Sequence, residues 1–367
     1  MRILFAAGGT GGHLSPALNL ANALKKQERD CEVSFLTSGR KIEDDFLTAS
    51  GFRAAPLFPE EKSRPSLLKP LRWMKAARGA RRFIKEFRPH VLIGTGGYVT
   101  LVGVLAGLRS GVSVYLLEQN AVPGRATRLA KYFARHIFCH YDEAAAGLGR
   151  RASAPGSPLS ESIRGEESAR PGGSEHALDA REHFGLEPDR PTLLVFGGSL
   201  GAFRLNRFVL DNVDALHNDV QILHIAGAND FEEVSSLYAA KGLSARVLPF
   251  CHEMDKAYRA ADLLLCRAGG MTVAEACASG LPAVMVPYQH KDDHQYKNAR
   301  LLEKAGAGVI VKEQDAGEET FRRTVGDLIS DRQRLKTMGD TSRALGKLEA
   351  TSAIIGRIEH DLKGRGI

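Results

Sequence analysis

The chain has 367 residues, 43% of them hydrophobic and 25% charged, with a formal net charge of +7. That length is comfortable for two cores, and the composition is that of an ordinary soluble globular protein. No apolar run reaches the ~18 residues needed to cross a bilayer. A strand opens almost at Met1, so no signal peptide is expected. The cysteines Cys31, Cys139, Cys251, Cys266 and Cys277 are scattered and lack zinc-ligand spacing, which fits reduced thiols in a cytoplasm.

In chain order, Arg2–Ala7 reads as a buried strand running into Gly8-Gly9-Thr10-Gly11-Gly12-His13. Pro16–Lys26 reads as a helix, Val33–Thr37 as a strand and Ile42–Ser50 as a helix. Leu67–Phe87 is a long basic helix, followed by strand His90–Gly94, strand Ser113–Glu118, helix Ala126–Tyr132 and strand His136–Cys139. This βα alternation predicts a parallel sheet with helices on both faces. Ser153–Glu182 is rich in Ser, Gly, Pro, Glu and Arg and reads as a connection carrying a mobile surface insertion. The alternation then resumes. Strands are expected at Leu193–Phe196, Gln221–Ala226, Arg246–Leu248, Leu263–Cys266, Ala283–Val286 and Val309–Val311, and Ser342–Leu362 reads as one amphipathic helix. The fold class is therefore α/β, with two Rossmann-like domains whose parallel sheets face a shared central cleft. The expected division is 1–160, 161–340 and a C-terminal helix in 341–367.

The chemistry concentrates in the loops that follow strands. Gly8–His13 fails as a dinucleotide fingerprint, because Leu14 stands where the third glycine belongs and Leu36-Thr37-Ser38-Gly39 supplies no acid for a ribose. No Lys-Ser/Thr follows, which excludes a Walker loop. What remains is a tight turn that aims bare backbone N–H groups and a helix N-terminus at one point, an arrangement suited to a phosphate. His13 lies just past it. A helix N-terminus favours a neutral imidazole, a candidate base, although a turn histidine with only a local hydrogen bond fits the same position. Gly94-Thr95-Gly96-Gly97-Tyr98 and Glu118-Gln119-Asn120 follow two more strands, so three polar loops converge on one sheet edge, the pattern of a pocket.

In the second half Gly197-Gly198-Ser199-Leu200-Gly201 repeats the anion trap. Arg267-Ala-Gly-Gly-Met271-Thr272-Val-Ala-Glu275 follows another strand. Glu275 reads either as the acid of a capping box begun by Thr272 or as a carboxylate that accepts both ribose hydroxyls. The polar run Pro287–Asn298, with Tyr288 and Tyr296 among amides, suits a sugar. There is no D-x-D pair, so no metal clamp and no tightly bound cofactor is expected, and helix N-termini are left to neutralise a diphosphate. Lys62–Arg88 carries ten basic residues against Glu86, interleaved with Leu67, Leu68, Leu71, Trp73, Met74, Phe83, Ile84 and Phe87. A solvated helix over a normal core face accounts for it. So does a surface resting on anionic lipid, where each basic residue contributes ~1 kcal/mol. Nucleic acid is the weaker option, because the chain is only 7% aromatic.

Taken in order, Gly-Gly-Thr-Gly-Gly-His, Gly-x-Gly-Gly-Tyr, Glu-Gln-Asn, Gly-Gly-Ser-x-Gly-Ala, Thr-Val-x-Glu and Gln-His-Lys-Asp-x-x-Gln-Tyr-x-Asn-Ala resemble the MurG family over nearly the whole chain. That resemblance implies a GT-B fold and transfer of N-acetylglucosamine from UDP-GlcNAc to lipid I at the cytoplasmic face of an anionic inner membrane. It further implies Ser199 and Gly198 on the pyrophosphate, and Phe250 and Cys251 on the uracil. Gly270, Met271 and Thr272 would line the diphosphate and sugar, with Glu275 on the ribose and His294 with Gln295 on the GlcNAc hydroxyls. Thr10, Gly11, Gly12, Gly96, Gly97 and Tyr98 would take the acceptor, and His13, Asn120 and Glu118 would surround the attacking hydroxyl. The chain departs from the family at Ser157-Pro158-Leu159-Ser160, where the junction arginine is missing and Arg164 is its nearest substitute. It departs also at Leu117 and at Leu200. An apparent insertion spans Gly165–His176.

Overall fold

Every strand pairing described is parallel, and the strands fall into two sheets. A computed structural model describes residues 1–9, 11–27, 30–58, 70–164, 175–198, 201–217, 219–289 and 293–364. They divide into one unit of Met1–Leu159 with Leu348–Ile367, and a second of Ser160–Lys347.

The first unit runs β1 (Arg2–Ala6), α1 (Gly11–Gln27), β2 (Glu32–Thr37), α2 (Lys41–Ala49), β3 (Arg53–Pro56), α3 (Pro70–Phe87), β4 (Val91–Gly94), α4 (Gly97–Gly107), β5 (Ser113–Glu118), α5 (Arg125–Ala130), β6 (His136–Cys139), α6 (Asp142–Leu148) and β7 (Ala152–Ser153). Its strand order is β3-β2-β1-β4-β5-β6-β7. β1, β4, β5 and β6 are almost continuously buried, as strands covered on both faces must be. Ile3, Phe5, Phe35, Ile93 and Tyr115 form the core with Leu14, Leu20 and Leu24 of α1.

The second unit runs α7 (Glu161–Arg164), α8 (Glu175–His183), β8 (Thr192–Phe196), α9 (Phe203–Asn212), β9 (Gln221–Ile225), α10 (Phe231–Ala240), β10 (Ala245–Leu248), α11 (Met254–Ala260), β11 (Leu263–Cys266), α12 (Gly270–Ser279), β12 (Ala283–Met285), α13 (His294–Ala305), β13 (Gly308–Ile310), α14 (Glu318–Phe321), α15 (Asp327–Ser330) and α16 (Arg332–Ala344). A last helix, α17 (Ala350–Lys363), belongs to the first unit, where Ile354, Ile355, Ile358 and Leu362 enter the core. The second sheet is ordered β10-β9-β8-β11-β12-β13.

In both sheets the strand order reverses beside the first strand, between β1 and β4 and between β8 and β11. The loops leaving the carboxyl ends of those neighbouring strands diverge to opposite faces and open a crevice, which is where such sheets bind ligands. The glycine-rich segments Gly8–Gly12 and Gly94–Gly97 leave one of these switch points, and Gly197–Gly201 and Arg267–Gly270 leave the other.

Several boundaries differ from the sequence reading. α1 starts at Gly11, directly on the glycine turn, and encloses Pro16. A proline favours a helix start, but here it sits inside one and only removes the bond its N–H would make to Gly12. β3 and β7 were unexpected because both are short edge strands, Arg-Ala-Ala-Pro and Ala-Ser, with little β propensity. Part of the supposed connection is helix. Ala177 and Ala180 of α8 are buried, and Arg181 pairs with Asp262 at 2.7 Å. The rest of the apparent insertion, 165–174, lies outside the described residues. The single helix expected from Ser342 to Leu362 is two. The chain turns at Gly346, whose N–H reaches Arg343 O at 2.9 Å and where a Cβ would come within 3.2 Å of the Cys277 carbonyl.

Candidate active site

At the first switch point the glycine turn is braced by α2. The Gly9 N–H donates to Glu43 Oε1 at 2.5 Å, and the Ser38 N–H donates to Glu43 Oε2 at 2.9 Å. The Ser38 hydroxyl donates to the same carboxylate at 2.7 Å, and Arg40 Nη1 donates to Gly9 O at 2.7 Å. Glu43 is only 2% exposed. This corrects the expectation of bare N–H groups throughout the turn, because the Gly9 amide is already committed to a buried carboxylate. An acid does follow the second strand, but it is not one that holds a ribose. The acid comes one helical turn later and serves the backbone. Gly11 and Gly12 form the first turn of α1, whose amides have no carbonyl partner within the helix. Thr10 lies outside the described residues.

His13, the third residue of α1, folds its ring onto the loop after β4. A Cβ at Gly96 would stand 3.0 Å from His13 Nε2, and one at Gly97 would stand 3.2 Å from Nδ1. Both glycines have positive φ, 107° and 70°, so any side chain there would be strained as well as crowded. Nδ1 lies 3.3 Å from Gly8 O. In the tautomer that donates Nδ1–H to that carbonyl, Nε2 is the acceptor nitrogen, the form a general base requires. The Tyr98 ring approaches Gly9, 3.4 Å from where a Cβ would stand. The Thr100 hydroxyl joins the two loops. It accepts the Gly96 N–H at 3.0 Å and lies 2.9 Å from Ala6 O. His13, Gly96, Gly97 and Tyr98 are thus brought together around one turn.

Glu118 ends β5 and is 4% exposed. Its Oε1 accepts the backbone and side-chain N–H of Asn120, both at 3.1 Å, and its Oε2 accepts the Gly124 N–H at 2.9 Å. Both oxygens therefore hold the 119–124 loop. Through these bonds Glu118 aims Asn120.

At the second switch point Gly201 N bonds Gly198 O at 2.9 Å, closing a tight turn. Gly201 has φ 75°, and a Cβ there would stand 2.6 Å from Ala226 O, so only glycine fits against β9. Asn206 fixes that same carbonyl from α9 at 2.9 Å. The N-cap residues Ala202 of α9 and Gly269 of α12 make no side-chain cap, so among the described residues no side chain caps the first-turn N–H groups of either helix. Ser199 and Leu200 lie outside the described residues, as do His290, Lys291 and Asp292.

Phe250 and Cys251 follow β10 at the same sheet edge. Cys251 is buried, which pushes its thiol up, so only its backbone is suited to polar recognition. The Met271 side chain is likewise buried, and Gly270, Met271 and Thr272 form the first turn of α12. Because α12 starts at Gly270, Thr272 is inside the helix and caps nothing. The capping-box reading of Glu275 therefore fails. Glu275 Oε2 instead accepts the Tyr258 hydroxyl at 2.9 Å. Burial drives its carboxyl up to about 7, against the opposing pull of that hydrogen bond. Among the described residues its second oxygen has no hydrogen-bond partner, which suits an acceptor awaiting hydroxyls.

Gln295 Oε1 accepts the Tyr288 N–H at 2.8 Å, so Gln295 shapes the polar loop as well as facing it, and His294 opens α13 beside it. Asn298 Nδ2 bonds Ala268 O at 3.1 Å and ties α13 to the start of α12. Arg267 supports this loop from beneath. It is 6% exposed, donates to Val286 O at 2.8 Å and pairs with Glu313 at 2.6 Å, while Glu313 also meets Arg204 of α9 at 2.9 Å. Arg164 ends the short helix α7 and is partly buried, and no hydrogen bond or ion pair of its side chain ties it to either switch point among the described residues.

Glu43, Arg40, Thr100, Tyr258, Arg267 and Glu313 were not singled out from sequence. Each acts on a partner distant in the chain, or supports backbone, and carries no local pattern.

These two switch points define a class, a GT-B transferase of two parallel-sheet α/β units. Residues 3–139 match the glycosyltransferase family 28 N-terminal domain, and residues 192–354 match the glycosyltransferase family 28 C-terminal domain. A UDP-N-acetylglucosamine--N-acetylmuramyl-(pentapeptide) pyrophosphoryl-undecaprenol N-acetylglucosamine transferase of Nocardioides sp. is 38% identical, covering 94% of both chains. The enzyme of the same name from Acidothermus cellulolyticus is 37% identical over 100% of both. The crystal structure of Acinetobacter baumannii MurG is 29% identical, with a TM-score of 0.74 over 98% of this chain and 99% of that one. A UDP-GlcNAc 2-epimerase from Neisseria meningitidis reaches a TM-score of 0.69 at 13% identity, covering 98% of this chain and 100% of that one, a likeness of fold alone. The chain belongs to glycosyltransferase family 28 and, within it, to the MurG family.

Proposed function

We propose that the protein transfers GlcNAc from UDP-GlcNAc to the 4-hydroxyl of the MurNAc sugar of lipid I, with inversion, forming the β-1,4 disaccharide of lipid II for peptidoglycan. The observation that carries this reading is the full-length match to relatives named for that transfer, 33–38% identical. The site chemistry supports it. In the second unit, Glu275 accepts the ribose hydroxyls through the oxygen that Tyr258 leaves unbonded. The uncapped starts of α9 and α12, with the Gly198 turn and Ser199, receive the diphosphate and stabilise it as it departs. Phe250 and Cys251 take the uracil, and Gln295 and His294 the sugar. In the first unit, Gly11, Gly12, Gly96 and Gly97 take the lipid diphosphate, while Tyr98 and Asn120 position the acceptor. His13 Nε2 removes the proton of the attacking hydroxyl.

The acceptor is a lipid, so the reading includes peripheral contact with an anionic membrane at its cytoplasmic face. Among the described residues no helix is long and apolar enough to cross a membrane. α3 supports a surface contact, though with fewer apolar residues than the sequence implied. Phe83 and Ile84 are buried in the unit and Trp73 packs on Phe58 at 5.5 Å, leaving Leu71 (78% exposed) and Met74 outward among the basic residues. Leu67, Leu68 and Lys69 lie outside the described residues. Trp73 also lies edge-on to Tyr98, ring centroids 6.3 Å apart, which links α3 to the acceptor loop. The test is incubation with UDP-GlcNAc and a lipid I analogue. The expected product is the β-1,4 disaccharide, and hydrolysed or epimerised donor without disaccharide would refute the reading.

A further inference from the structure

The first unit has a second charged site, at the edge of the sheet opposite the glycine loops. A cavity of about 350 Å³ is lined by Phe133, Ala134, Arg135, Arg151, Arg357 and Asp361. Arg135 and Arg151 immediately precede β6 and β7, and Arg357 and Asp361 come from α17. The cavity thus sits at the amino ends of the strands, away from the reacting edge, and nothing in the transfer reaction uses it.

Its lining holds three arginines and one carboxylate, and that carboxylate is already engaged. Asp361 accepts the Tyr115 hydroxyl at 3.1 Å and Arg357 Nε at 3.1 Å. Burial pushes the Asp361 carboxyl up, but those two partners outweigh it and hold it below its ordinary value, so it stays ionised and paired. Arg151 is fixed by Nη1 bonds to Ala134 O at 3.2 Å and Tyr132 O at 3.4 Å. Among the described residues no hydrogen bond engages the Arg135 guanidinium. Two arginines are therefore held in place with donors to spare, and a third has all of its donors available. A planar fork held in advance loses little freedom on meeting a tetrahedral oxyanion.

The surroundings indicate where such an anion comes from. Leu129, Tyr132 and Phe133 are 58%, 71% and 46% exposed beside the cavity, and Leu105 is exposed on the neighbouring α4. α4 packs on both α3 and α5, so the cavity lies at the end of a three-helix layer that carries outward apolar residues and basic charge. Exposed aromatic and aliphatic side chains beside arginines are the mixture found where a protein meets lipid headgroups.

We propose that Arg135, Arg151 and Arg357 form a binding site for a phosphate group, occupied by the headgroup phosphate of an anionic lipid. This assignment rests on the membrane contact proposed above for its source of ligand, but not for its chemistry. The test uses the full chain with Arg135→Gln and Arg357→Gln, and with Arg150→Gln as a control of equal charge outside the cavity. Arg135→Gln removes no described hydrogen bond, so it leaves the fold intact. Two probes are used, phosphatidylglycerol/phosphatidylcholine vesicles in co-sedimentation and inorganic phosphate in calorimetry. Each cavity variant is expected to weaken vesicle binding about fivefold, with Arg150→Gln changing it much less. Phosphate heat that is lost in the cavity variants while vesicle binding is unchanged supports the site with free phosphate as its ligand. If the parent ignores vesicles yet binds phosphate through these arginines, the membrane reading fails and the site stands. If neither probe separates the cavity variants from Arg150→Gln, the site is overturned.

Discussion

The two glycine turns of this protein share a plan and differ in what braces them. Both follow the first strand of a parallel sheet at the point where strand order reverses, and both lead into a helix. In the first unit the brace is a buried carboxylate. Glu43 binds the Gly9 and Ser38 amides, and the turn presents a histidine ring set against Gly96 and Gly97. In the second unit the brace is an amide that is itself held by a carboxylate, since Asn206 Nδ2 also donates to Asp230 Oδ2 at 2.7 Å. Gly201 rests against the Ala226 carbonyl, which Asn206 holds, and the uncapped starts of α9 and α12 stay positive. The carboxylate under the first turn is spent on that turn's own backbone amides, beside the His13 ring. On the proposed function, the same backbone motif serves the acceptor and the base in one unit and the donor in the other.

The largest effect expected from breaking this division is at His13. His13→Ala should lower kcat about 10²-fold or more, while the Kd for UDP is unchanged, because the donor residues all belong to the other unit. Near-normal turnover on a soluble lipid I analogue would move the base elsewhere.

Glu275→Ala should do the reverse, weakening UDP about tenfold or more through loss of a charge-assisted acceptor. The raised carboxyl sharpens this. Burial favours the protonated form below about 7, whereas ribose hydroxyls need the ionised acceptor. UDP affinity should therefore rise with pH and gain about tenfold between pH 6 and pH 8, and the gain should vanish in Glu275→Gln. A flat calorimetric profile for the parent would remove Glu275 from the ribose.

Reversing Lys69, Arg72 and Lys75 to Glu should reduce co-sedimentation with anionic vesicles about tenfold or more and weaken its salt dependence. Turnover on a short-chain acceptor should be spared. Sedimentation equal to that of the parent would make α3 an ordinary solvated helix.

The smallest effect concerns the brace itself. Glu43→Gln keeps the shape of the side chain but not its charge, and should lower stability to urea by about 1–3 kcal/mol. It should also reduce kcat/KM for the acceptor severalfold and leave UDP affinity alone. If UDP affinity falls instead, the first turn takes part in donor binding.

Much of this was legible in the sequence. The strands of both sheet centres stand out as short apolar runs ending in glycine, because strands buried on both faces leave no polar alternation to confuse the reading. The loops at their carboxyl ends were located from the same runs. What could not be read is what those loops lean on. Glu43 looks like any acid at the start of a helix until its carboxylate is seen beneath Gly9. Tyr258 gives no sign in sequence that its hydroxyl meets Glu275 from α11. The apolar residues of Leu67–Phe87 looked available to a membrane, but a helix periodicity does not say which stripe the core has taken. Ala76, Ala80, Phe83 and Ile84 went inward.

The measurement that bears most directly on the division of labour is calorimetric titration of UDP-GlcNAc into His13→Ala and Glu275→Ala side by side, with turnover recorded on the same preparations. The account predicts parental affinity with lost turnover for His13→Ala, and weakened affinity for Glu275→Ala. Weak donor binding in the His13 variant, or parental binding in the Glu275 variant, would contradict it.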